Sequence, residues 1–92
     1  MQMQPTSAEE QRMPQETVIA RLARLQELLA LCPTDILTRS ELAMLFEELH
    51  DWDEAVHNWK AVIEIDPNNL KAREGLIRCR HMRNAHRQRG SD

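Results

Sequence analysis

The stretch from Pro33 to Asn69, PTDILTRSELAMLFEELHDWDEAVHNWKAVIEIDPNN, decides the fold. It holds two helical patterns. Leu42, Leu45, Phe46 and Leu49, with Ala43 beside them, recur at spacings of three and four, which gathers them on one face of a helix. Trp52, Ala55, Val56, Trp59, Val62 and Ile63 do the same for a second helix. Thr34 or Asp35 is placed to cap the first of these, which runs to about Leu49. Asp51 caps the second, with Glu54 three residues on in the manner of a capping box. Pro33 and Pro67 bound the stretch, because the residue before a proline is pushed out of the helical region. No run of β-branched residues alternates with polar ones, so no strand competes.

On the N-terminal side, Val18, Leu22, Leu25, Leu28 and Leu29 form another helical face, opposed by Arg21, Arg24 and Glu27. That helix is expected to end near Leu31 or Cys32. On the C-terminal side, Asn68 or Asn69 opens a fourth helix carrying Leu70, Ala72, Leu76, Cys79 and Met82, after which the apolar stripe fades. Four helices joined by very short turns predict antiparallel packing of sequence neighbours. Residues 1–15, rich in Gln, Glu, Ser and Pro, read as a disordered leader, 16–86 as the folded domain and 87–92 as a disordered tail.

The two prolines stand 34 residues apart, the period of the tetratricopeptide repeat (TPR). The segment between them resembles that repeat in one register: Arg39-x2-Leu42-Ala43-x2-Phe46, then Ala55-x3-Trp59, then Pro67. Small residues at Ala43 and Ala55 let the two helices approach closely, and Phe46 and Trp59 fill the space between them. Arg39 stands where the pattern has Trp, and His50 where a turn glycine is common. Upstream, Leu25, Leu28, Leu29 and Pro33 resemble the second half of a repeat, but Arg21 takes the small-residue position. Downstream, Leu76 fits, whereas Ile77 replaces the small residue and Arg80 the aromatic, which marks the fourth helix as a polar cap. The resemblance is to one full repeat, about 36–69, flanked by two half-repeats. It implies an all-α, right-handed array of antiparallel helix-turn-helix pairs. Arrays this short invite self-association or a stabilising partner.

Composition narrows the function classes. The net charge of −3 is unevenly spread. Residues 1–70 carry thirteen acids against five Lys or Arg, while 71–89 carry Lys71, Arg73, Arg78, Arg80, Arg83, Arg87 and Arg89 against Glu74 alone. Nothing at the start has the apolar core of a signal peptide, and no apolar run reaches the length of a bilayer, so a cytoplasmic address is expected. Cys32 and Cys79 form no framework and are expected to be reduced, partly buried thiols. His50, His57, His81 and His86 show no i, i+4 pairing, and Cys79-x-His81 splits its two side chains between helix faces, so no metal is expected. No nucleophile–base arrangement, phosphate loop or paired-acid motif appears, so neither enzyme activity nor a cofactor is expected.

The family resemblance implies a protein-binding scaffold that lays a partner segment along the first helix of each pair. The corresponding outward positions are Leu37, Ser40, Met44 and Glu47 on the second helix, with Lys71, Glu74, Arg78 and His81 on the fourth. They describe an apolar patch beside a basic one, suited to a segment with apolar anchors and acidic groups. The Lys and Asn constellation of chaperone-binding relatives is not apparent, since Ser40 and Met44 occupy that region. The expected function is thus an adaptor, chaperone or assembly factor. Two alternatives are a nucleic-acid-associated protein using the basic last helix, which lacks aromatic residues for base stacking, and a self-assembling structural subunit.

Overall fold

Four side chains start the four helices by accepting backbone N–H groups that a helix leaves unpaired. Thr17 accepts from Ala20 (3.1 Å), Asp35 from Leu37 (3.1 Å), Asp51 from Glu54 (3.3 Å) and Asn69 from Ala72 (2.9 Å). They open α1 (Val18–Leu31), α2 (Ile36–Glu48), α3 (Trp52–Ile65) and α4 (Leu70–Gly90). Of the paired candidates, then, Asp35 rather than Thr34 and Asn69 rather than Asn68 supply the caps. The structure is a computed structural model that describes residues 16–90, so the expected leader 1–15 and the last two residues lie outside it. Among the described residues the fold is all-α, with each helix packed against its sequence neighbours.

The two proline turns repeat one another. Cys32 sits at φ −140°, ψ 84° and Asp66 at φ −135°, ψ 86°, both outside the helical region, which a following proline disfavours. Both donate back to a carbonyl four residues earlier, Cys32 to Leu28 (2.9 Å) and Asp66 to Val62 (2.8 Å). Three residues on, Asp35 donates to Cys32 (3.1 Å) and Asn69 to Asp66 (3.0 Å). The α2–α3 turn is of another kind. His50 donates to the Glu47 carbonyl and Asp51 to the Phe46 carbonyl, the pair of bonds of a Schellman motif. That motif needs a left-handed residue, and His50 takes it at φ 58°.

Two apolar clusters meet at Phe46. In the larger one Ala43, Ala55, Val56, Trp59, Val62, Ala72 and Cys79 are buried; in the smaller one Leu25, Leu29, Leu42 and Leu45. Ala43 and Ala55 are fully covered, as expected of small residues where α2 and α3 approach. Gly75 does the equivalent service for α4: a Cβ there would lie 2.5 Å from the Trp59 indole, so the bare backbone rests on the ring.

Some expected faces are more open. Val18, Leu28, Leu49, Leu70 and Met82 remain exposed, because they sit at helix ends or on the outer helices, which have a neighbour on one side only. Cys32 is exposed, not partly buried, since it lies in the turn; Cys79 is buried as expected. Arg39 reaches across to the buried Asn58, donating to Oδ1 at 3.2 Å, while the Asn58 amide donates to the Glu54 carbonyl at 2.8 Å. α4 runs on to Gly90, into the stretch expected to be a tail, and Arg83 and Arg87 hold it there by facing Asp53 of α3 at 3.9 and 3.2 Å.

Candidate interaction surface

The eight predicted surface residues do not share one environment. Leu37, Lys71, Glu74 and His81 are exposed, with Leu37 showing 75% of its surface. Ser40 is buried, not outward. Met44 is half-buried and packs against the Ala43–Trp59 cluster, so it serves the core before any partner. Glu47 and Arg78 are joined to each other.

That junction is the most organised polar feature of the molecule. Arg78 donates from Nε to Glu47 Oε1 and from Nη2 to Glu47 Oε2, both at 2.8 Å, the bidentate fork that suits a guanidinium to a carboxylate. The Trp59 indole N–H donates to Glu47 Oε2 at 2.7 Å. One carboxylate therefore ties α2 to α3 and α4 at once. Burial would raise the Glu47 carboxyl, but Arg78 and Trp59 outweigh it and hold the group below its ordinary value. The same site pushes the Cys79 thiol up to about 11, through burial first and the Glu47 charge second. Thiolate chemistry at Cys79 is thereby suppressed.

The fork redraws the charge on α4. Arg78 is taken by Glu47, while Arg83 and Arg87 face Asp53. Lys71, Arg73 and Arg80 are exposed and form no ion pair among the described residues, so they are cations that α4 offers to another molecule. The sequence pattern did not reveal this division, because Glu47 and Arg78 are 31 positions apart. One signal was present: a buried indole N–H seeks an acceptor, and Glu47 lies one helix away from Trp59. The role of Gly75 was missed as well, although it is one of only two glycines in the chain.

No group of three or more His, Cys, Asp or Glu among the described residues is arranged to hold a metal ion. Among the same residues, no helix is long and apolar enough to cross a membrane. The sequence matches no family model, no curated protein and no solved structure.

Proposed function

We propose that this chain is a TPR-type, non-catalytic, cytoplasmic protein-interaction module that holds a partner segment along the face shared by α2 and α4. The observation that carries the reading is the Glu47–Arg78 fork, which joins two non-consecutive helices into one surface while leaving Leu37, Lys71 and Glu74 unengaged. The repeat reading is supported by the duplicate turns at Cys32 and Asp66 and by the covered pair Ala43 and Ala55. Since Arg78 is already matched, the partner's acidic groups meet Lys71 in place of Arg78, and its apolar anchor meets Leu37. The role that fits is an adaptor, chaperone or assembly factor.

The test is affinity purification of the tagged chain from its native cells, with and without nuclease, beside the double variant Leu37→Glu, Lys71→Glu. Both positions are exposed, so helicity is expected to persist. A stoichiometric protein that survives nuclease and is lost with the variant supports the reading. Equal recovery by both forms would sink it.

A second reading, nucleic-acid binding, is favoured by the unpaired Lys71, Arg73 and Arg80. Three cations neutralise about three phosphates, so log K would fall with log salt at a slope of about −3 or shallower. The chain would then be recovered with material that nuclease removes. Tight head-to-tail stacking of copies is opposed by Arg21 and Ile77, which place bulk at the outer-helix positions where the α2–α3 approach has alanines.

A further inference from the structure

α4 is longer than its neighbours: 21 residues against 13 in α2 and 14 in α3. At 1.5 Å per residue it spans about 31 Å, roughly 10 Å more than α3. Past the Glu47–Arg78 fork it overhangs the α2–α3 turn and the start of α3. A cleft of about 450 Å³ opens beneath the overhang, lined by His50, Trp52, His81, Met82, Ala85 and His86. That volume lies within the range of about 300–1,000 Å³ typical of ligand pockets.

We propose that this cleft is a docking site for a partner protein segment that inserts one large apolar side chain flanked by carboxylates. Three observations carry it. The floor is apolar: Trp52 is half-buried, and Met82 shows 41% of its surface. The walls bring imidazoles from two elements, His50 from the turn and His81 and His86 from α4, each able to donate to an acceptor. His50 is held left-handed at φ 58°, a conformation that disfavours any residue with a Cβ, and its ring stacks on Trp52 at 5.3 Å and 13°. An adjoining cavity of about 310 Å³ shares His50, Trp52 and His86 and extends toward Asp51, Asp53 and Arg83.

Charge orients the occupant. Asp51 and Asp53 line the α3 side of the adjoining cavity, with Arg83 and Arg87 facing Asp53. A second carboxylate there would meet like charge. The imidazole side, at His81 and His86, carries no acid, so the flanking carboxylates lie along α4 and the apolar side chain sits against Trp52. The proposal does not depend on the α2–α4 face: a chain with an idle face and an occupied cleft is consistent with it.

The test is selection of a displayed random heptapeptide library against the full chain, run in parallel on Met82→Glu and Leu37→Glu. Both substituted side chains are exposed, and unchanged melting curves are the check; His81→Ala, His86→Ala replaces Met82→Glu if that variant melts early. The expected result is enrichment of peptides with an aromatic or leucine beside Asp or Glu. Their binding should fall by about tenfold or more on Met82→Glu and stay unchanged on Leu37→Glu. In the amide and indole NMR spectrum they should move the Trp52 indole proton and leave Trp59 in place. Absence of enrichment, or peptides that bind Met82→Glu equally well, overturns the proposal. Peptides lost on Leu37→Glu and kept by Met82→Glu also overturn it, while supporting the α2–α4 face.

Discussion

Along α2, the side facing α3 and α4 is closed by small residues around an indole, whereas the side facing α1 is closed by four leucines. The first seam places Ala43, Ala55, Ala72 and Gly75 in a cluster with Trp59 and locks it with the Glu47 carboxylate. Its stability depends on shape, since each backbone approaches as far as a missing side chain allows. The second seam buries Leu25 and Leu29 against Leu42 and Leu45 and adds the solvent-exposed pair Arg21–Glu48 at 3.4 Å. It depends on apolar area, and exposed pairs of that kind contribute little. The contrast teaches that α2–α4 form the rigid part and that α1 is an attached element.

Substitutions test the contrast directly. Trp59→Ala is expected to cost about 3–5 kcal/mol and to strip Glu47 of its indole donor. For so small a domain that is a large part of the total stability, so a cooperative thermal transition should be lost by circular dichroism. Leu25→Ala removes about 2–5 kcal/mol of packing, but from the end of the array. Hydrogen exchange should then rise throughout α1 while the near-ultraviolet signal of Trp59 persists. Loss of both together would show that the two seams form one cooperative unit and break the comparison.

Gly75→Ala sharpens it. Helix propensity favours the alanine by about 1 kcal/mol, and overpacking against Trp59 costs about 1–3 kcal/mol. A net fall in melting temperature is expected; a rise would mean that α4 slides off the indole freely. Smaller again is the acid response of Glu47. Its folded carboxyl titrates below its ordinary value of 4.5, so its stabilisation is complete above that value and fades as pH drops through the depressed folded one. The effect is about 1 kcal/mol, because Arg78 is half open to solvent. Glu47→Gln should flatten this part of a stability-versus-pH curve, and an unchanged curve would remove Glu47 as the lock. His50→Gly is expected to be nearly neutral in melting, with relief of about 1 kcal/mol of backbone strain offset by a lost stacking contact of about the same size.

Features written in local patterns were legible before the structure. The proline turns, the cap at Asp51 and the close approach at Ala43 and Ala55 all follow from spacing and side-chain size. Features that depend on two distant residues finding each other were not. Glu47 and Arg78 look like ordinary solvated charges in sequence, yet Arg78, still half open to solvent, is matched by Glu47. Ser40 and Met44 turned inward because the face of α2 toward the core is wider than the Leu42–Leu45–Phe46 stripe suggests. The overhang of α4 escaped notice for a related reason: its last turns are held by Arg83 and Arg87 against Asp53, not by an apolar stripe.

Because each helix touches mainly its sequence neighbours, closing any one contact encloses only a short length of chain. Low contact order of this kind goes with folding in microseconds to milliseconds. A chain that assembles so quickly exposes its apolar stripes only briefly on the way to the folded state.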